Sequence, residues 1–151
     1  MPRPFPVPDA LSKPFWDACN QGKLMVQYCT MCNRRQFPPQ PVCGECGWEF
    51  HLTWMEASGR GTIQGFGVTY DTRTRAWAEY QPFNNVVIQL EEDPAIQFFS
   101  NLPGVPAGEV PIGAKVQVEW LEASPGVKIP EWRVVDSAPA SGTGTPRRRR
   151  A

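Results

Sequence analysis

Hydrophobic and polar residues along this chain seldom keep one rhythm for long. The first ten residues hold four prolines and read as an extended arm. Ser12-Lys13-Pro14 then looks like a helix start, with Ser12 as N-cap and the proline in the first turn, where its missing N–H costs nothing. Leu11, Phe15, Trp16, Cys19 and Leu24 give this short helix an apolar side, and Gly22 ends it. So short a helix is marginal alone, so it must dock on the rest of the chain or on a partner. Brief alternating pieces follow, Met25-Val26-Gln27-Tyr28 and the stretch from Trp48 to Trp54. The intervening Gln36-Phe37-Pro38-Pro39-Gln40-Pro41 cannot be a central strand, because proline breaks the ladder.

From Gly59 onward the period is that of β-strands. Gly61 to Asp71 alternates around Ile63, Phe66, Val68 and Tyr70, and Gly65 and Gly67 within it predict a bend or bulge. Val86 to Leu90 and Ala95 to Phe99 predict a hairpin around Glu92-Asp93-Pro94. A proline- and glycine-rich loop covers Pro103 to Gly113; Lys115 to Trp120 and Trp132 to Val135 alternate again. Five strands with a bent first member fit an open Greek-key barrel of the OB type. A small sandwich would also fit.

Composition supports short elements: 17 prolines and 13 glycines in 151 residues punctuate the chain too often for long helices. No apolar run approaches the roughly 20 residues that a bilayer requires, and the N-terminus lacks the apolar core of a secretory signal. A cytoplasmic protein with no membrane association is expected. The 15 basic and 15 acidic side chains balance, but Arg147 to Arg150 end the chain; without them 11 basic face 15 acidic, a body of about −4. A single-stranded nucleic-acid-binding module is the alternative functional reading, favoured by the Arg run alone. A domain gripping phosphate backbones would show a basic face, so nucleic acid is disfavoured as a partner. Ser137 to Pro146 carries no large apolar residue, so 137–151 is expected to be a solvated tail.

The strongest chemical signal is Cys29-Thr30-Met31-Cys32 followed, ten residues on, by Cys43-Gly44-Glu45-Cys46. Two residues between cysteines let a tight turn aim both thiolates at one ion, and two such knuckles complete a tetrahedron. Soft thiolates select Zn²⁺ over Mg²⁺ or Ca²⁺. Iron in a rubredoxin-like carrier is the competing reading, and disulfides would need an oxidising compartment. Asn33, Gly44 and Gly47 can supply positive-φ positions around the knuckles. A closed four-thiolate site leaves no position for water or substrate, so its expected role is structural. Cys19 lies outside the pattern and reads as core. The expected fold class is therefore mainly β: an arm and docking helix (1–23), a zinc ribbon (24–56), a five-stranded OB-fold-like barrel (57–136) and the tail (137–151).

One histidine, His51, and no phosphate loop, GxSxG or HExxH leave the common catalytic constellations unfilled. Glu91-Glu92-Asp93 sits at a predicted turn as surface charge. Binding remains. Tyr70 to Asn84 carries two arginines and four aromatics, and Arg73, Arg75 and Trp77 are its candidate ligand contacts. The alternative is that Trp77 and Phe83 simply cap the barrel.

Pro14-Phe15-Trp16, Gly22-Lys23-Leu24, the paired knuckles around Phe37-Pro38-Pro39, then Trp54 and Ser58-Gly59-Arg60-Gly61-Thr62, occur in an order that resembles one family. It joins a rubredoxin-like zinc ribbon to an acyl-CoA-associated OB-fold domain, and the likeness covers roughly residues 10 to 136. Its members are accessory subunits of thiolases, of hydroxymethylglutaryl-CoA synthase and of thiolase-like aldolases that shorten steroid side chains. The resemblance implies a non-catalytic subunit in a hetero-oligomer: catalysis resides in the thiolase-like partner, while this chain stabilises it and helps hold or pass an acyl-CoA thioester. Only Cys29, Cys32, Cys43 and Cys46 carry over as functional residues. Some relatives fuse this unit behind a hydratase domain; here it is expected to stand alone.

Overall fold

The computed structural model describes residues 6–70 and 73–136. Most of the predicted proline arm's start (1–5), Asp71, Thr72 and the predicted tail (137–151) lie outside the described residues.

Helix α1 spans Lys13–Asn20. Ser12 does not cap it with its side chain, contrary to the sequence expectation. It pairs instead with Asp9: the Ser12 N–H donates to Asp9 Oδ1 at 2.7 Å and the Asp9 N–H donates to Ser12 Oγ at 3.1 Å. Ser12 already has helical dihedrals, so the reciprocal cap sits one turn earlier. Leu11 consequently falls before the helix and is exposed rather than part of its apolar side. Phe15 and Cys19 are the buried residues of α1. Gly22, at φ +77°, ends the helix in a Schellman turn: Lys23 N–H donates to the Ala18 carbonyl and Gly22 N–H to the Cys19 carbonyl, both at 2.9 Å.

Three strands follow, β1 Met25–Cys29, β2 Arg35–Gln36 and β3 Leu52–Glu56, in the order β2-β1-β3 with antiparallel pairing. The alternating piece expected from Trp48 becomes a strand only at Leu52. The carbonyl of Trp48 is taken by the Cys43 N–H at 3.0 Å, closing the second cysteine turn and keeping this backbone out of the ladder.

The second sheet contains β4 Arg60–Thr69, β5 Phe83–Leu90, β6 Gln97–Ser100, β7 Lys115–Ser124 and β8 Val127–Asp136, ordered β6-β5-β4-β7-β8. The expected irregularity in β4 is a register shift between Ile63 and Gly65. β5 alternates throughout between half-buried and buried, putting Asn84, Val86, Ile88 and Leu90 inside. The ring closes where the end of β6 meets β8: Ser100 Oγ donates to the Pro130 carbonyl at 2.7 Å and Trp132 N–H to the Asn101 carbonyl at 3.2 Å. This is the five-stranded barrel, with Ile63, Val86, Ile88, Phe98, Val116 and Trp132 in its core. β7 and β8 run further than the sequence pattern indicated, pairing from Lys115↔Asp136 to Ser124↔Val127.

Two glycines of Ser58-Gly59-Arg60-Gly61-Thr62 are dictated by close approach. Gly59 sits at φ +69°, and an added Cβ would lie 2.3 Å from Val118 Cγ1. At Gly61 it would lie 2.6 Å from Ile88 Cγ2 and 2.7 Å from the Gln89 carbonyl oxygen of β5. Only glycine lets β4 enter the barrel between these neighbours.

Ribbon, helix and barrel share one aromatic cluster. Phe37 packs on Phe98 with centroids 4.0 Å apart, Phe15 lies 5.2 Å from Phe37, and Phe98 lies 6.1 Å from Trp132. The acidic turn Glu91-Glu92-Asp93 is more than surface charge. Asp93 pairs with Arg35 of the ribbon at 3.8 Å, and Glu92 accepts the Ser58 N–H at the ribbon–barrel junction. No helix among the described residues is long and apolar enough to cross a membrane.

Candidate metal centre and adjoining cavities

The four cysteines converge. Cys29 Sγ lies 3.6 Å from Cys46 Sγ, Cys32 Sγ lies 3.5 Å from Cys43 Sγ, and all four sulfurs fall within 4.8 Å of one another. Thiolates at about 2.3 Å from a tetrahedral Zn²⁺ stand about 3.8 Å apart, so this donor set fits that ion. Each pair caps a tight turn. Asn33 N–H donates to the Cys29 carbonyl and Gly47 N–H to the Cys43 carbonyl, both at 2.9 Å. Asn33 (φ +59°) and Gly47 (φ +74°) follow the second cysteine of each pair in the left-handed region. Gly44 has no positive φ, unlike the expectation; its N–H instead donates to Gln36 Oε1 at 2.9 Å.

That last bond belongs to a buried amide net. Gln36 Nε2 donates to Gln27 Oε1 at 2.9 Å and to the Val42 carbonyl at 3.1 Å; Gln27 exchanges bonds of 2.8 and 3.1 Å with the Gln40 backbone. Two strand glutamines thereby hold the loop that presents Cys43. The backbone N–H groups of Cys46 and Glu45 draw the Cys43 thiol down to about 6, favouring the thiolate a metal needs. His51 enters by its backbone: its carbonyl accepts the Thr30 N–H at 2.9 Å. Cys19 is fully buried, and desolvation pushes its thiol up to about 12, which makes it an inert core residue.

The predicted ligand contacts separate. Residues Arg75–Tyr80 form a 3-10 helix, and Arg73 and Arg75 are exposed. Trp77 is half-buried, 5.1 Å from Phe83 and 6.0 Å from Tyr80 between ring centroids. It walls a cavity of about 240 Å³ together with Tyr80, Phe83, Asn84, Asn101 and Glu131; the two arginines are not among the lining residues. Trp77 and Phe83 thus pack together beside this cavity. Asn84 shapes the floor: it donates to the Leu102 carbonyl at 2.9 Å and accepts the Leu102 N–H at 2.7 Å. Sequence reasoning missed Asn84, Asn101 and Glu131, which come from three separate segments. A second cleft of about 250 Å³ lies between α1, the ribbon and the barrel, walled mainly by Phe15, Trp16, Phe37, Phe98, Phe99 and Pro130.

Two family models match the chain: the rubredoxin-like zinc ribbon domain of ChsH2 over residues 16–50 and the C-terminal OB-fold domain of ChsH2 over residues 54–121. The chain belongs to the ChsH2 family. The structure is similar to a chain of the Ltp2-ChsH2(DUF35) aldolase, with a TM-score of 0.75 and 28% identity, covering 86% of this chain and 98% of that one. A DUF35-family protein of unknown function from Sulfolobus solfataricus shares the fold at a TM-score of 0.56 and 16% identity, over 83% of this chain and 85% of that one. A probable enoyl-CoA hydratase alpha subunit of Thermomonospora curvata is 31% identical over 120 residues, which is 79% of this chain. The chain spans only 36% of that relative's length. For a ChsH2-type ribbon the cysteine cluster is a structural zinc centre, closed to substrate by its four thiolates.

Proposed function

We propose that this chain is a non-catalytic subunit of a thiolase-like enzyme that cleaves acyl-CoA thioesters by retro-aldol or retro-Claisen chemistry. Steroid side-chain degradation is one setting for such an enzyme, and a reducing compartment such as the cytoplasm keeps the cysteines available to metal. The observation that carries the proposal is the similarity along 98% of a chain of the Ltp2-ChsH2(DUF35) aldolase. In this reading the zinc centre fixes the ribbon, the ribbon buttresses the barrel through Phe37, and the reacting groups belong to the partner. The apolar cleft supports a docking role: Phe99 at its rim is 78% exposed beside Phe15, Trp16 and Phe98. Arg73 and Arg75 are the proposed contacts for CoA phosphates, with Trp77 beside them for the adenine ring.

The test is co-expression with a thiolase-like partner, followed by size-exclusion chromatography and a thioester-cleavage assay. The expected outcome is a hetero-oligomer that cleaves the thioester while this chain alone does not. A partner fully active and soluble alone, or turnover by this chain alone, overturns the proposal. Within an active complex, Arg73→Ala with Arg75→Ala should raise KM for the CoA substrate and leave assembly intact.

A further inference from the structure

The outer end of the ribbon carries large apolar side chains that neither the core nor the apolar cleft uses. Met31 and Phe50 are 59% and 82% exposed, and Val42 and Trp48 are 42% and 55% exposed. Backbone bonds gather them around the cysteine knuckles. The Thr30 N–H donates to the His51 carbonyl at 2.9 Å, which sets Met31 beside Phe50; the Cys43 N–H on the Trp48 carbonyl at 3.0 Å sets Val42 beside Trp48. The Trp48 and His51 rings meet edge to face with centroids 6.2 Å apart, joining the two pairs. Monomeric proteins rarely leave contiguous apolar patches of more than a few hundred Å² in water. These four side chains present on the order of 500 Å².

We propose that this patch is a homodimer interface, at which two copies of the chain meet knuckle to knuckle about a two-fold axis. Its area, its charge and its rim all select a second copy as the occupant. Two such patches face to face bury about 1,000 Å², the low end for a specific interface and less than a permanent complex with a different subunit needs. Residues 29–51 hold two arginines and two glutamates, a net charge of zero, so two acidic bodies can approach here without repulsion. A two-fold contact must also be self-complementary. Arg34 and Glu45 flank the patch as an exposed pair, Nη1 to Oε2 at 3.0 Å, so each copy offers the opposite charge that the other needs. None of the four apolar side chains lines the cleft at Phe99, so this dimer leaves both clefts open to catalytic subunits. The inference is independent of the proposed function, because it concerns copies of this chain alone.

Sedimentation velocity of the full-length zinc-loaded protein, from about 1 to about 100 μM, tests the interface; its size predicts a monomer–dimer equilibrium with Kd on the order of 10 μM. Phe50→Ser, which touches no core residue, should weaken dimerisation about tenfold or more and keep one zinc per chain. Arg34→Glu and Glu45→Arg should each sediment as monomers when alone. Their equimolar mixture should dimerise, since only the mixture sets opposite charges against each other across the axis. A wild-type protein that stays monomeric over the whole range overturns the proposal. So does a Phe50→Ser variant that dimerises like wild type, or a mixture of the two charge variants that stays monomeric. A monomeric wild type whose assembly with a thiolase-like partner is lost in Phe50→Ser assigns the patch to that partner and equally overturns it.

Discussion

The ribbon and the barrel solve the same problem by different means. In the barrel, β5 alternates strictly and sends Val86, Ile88 and Leu90 into a continuous apolar core that ends on Trp132. In the ribbon, β1 buries Val26 and Gln27 side by side, and β2 is two residues long. A strand that short has little apolar area to hide, and burying a polar amide costs free energy unless it is bonded. The ribbon replaces missing apolar area with four thiolates on one ion and a bonded pair of glutamines. Its stability is thus chemical and conditional on metal, whereas that of the barrel is intrinsic.

The sharpest way to break this contrast is Cys29→Ser. Structural zinc contributes about 10–16 kcal/mol of binding free energy to ribbon-type folds, so the variant should lose stoichiometric metal and unfold residues 24–56. The barrel should persist, read as retained near-ultraviolet dichroism from Trp132. A ribbon that keeps its hydrogen-exchange protection without metal would erase the distinction. Next in size, Trp132→Ala should cost about 3–5 kcal/mol in denaturant unfolding of the barrel and leave metal content at one ion per chain. Trp132→Phe should cost less, since among the described residues the buried indole Nε1 has no hydrogen-bond partner. Gln36→Ala strands the Gly44 N–H and leaves Gln27 Oε1 with only its bond from the Gln40 N–H, an expected loss of about 1–3 kcal/mol. That loss should appear as weaker zinc affinity in a chelator competition; an unchanged affinity would show that the amide net does not support the knuckle.

The smallest effect is a pH dependence. Glu92 is partly desolvated, which raises its pKa, but the Ser58 N–H and hydroxyl outweigh this and hold the carboxyl below its usual value of 4.5. A depressed folded pKa contributes stability above the unfolded value that is lost as pH falls through the folded one. The melting temperature of wild type should therefore exceed that of Glu92→Gln at neutral pH, and the gap should narrow at about pH 4 and below. A gap that widens on acidification would contradict the assigned bond.

The metal ligands were legible because two-residue spacings constrain backbone and donor together, so Cys29, Cys32, Cys43 and Cys46 could be named from the string alone. The strands β4 to β6 were legible for the same reason that the barrel is stable: alternation is the sequence image of one buried face. The extension of β7 and β8 was not, because Pro125-Gly126 and Pro130 interrupt the alternation of apolar and polar positions. Pro130 is tolerated in β8, which lies at the edge of the hydrogen-bonded strand order. The cavity was illegible for a different reason. Asn84, Asn101 and Glu131 meet only through the closure of β6 on β8, and no local pattern marks residues that become neighbours by ring closure. Arg73, Arg75 and Trp77 were chosen by composition, which does not say which side chains wall a cavity; of the three, Trp77 is among the lining residues.

Phe37 leaves the ribbon to sit against Phe98 of the barrel, with Phe15 of the helix beside both. Transplanting the ribbon from a relative would therefore import a foreign plug for another molecule's socket. Chimeras in this family should tolerate exchange of the knuckle residues more readily than exchange of the single phenylalanine that follows β2, and the units divide less cleanly in space than they do along the chain.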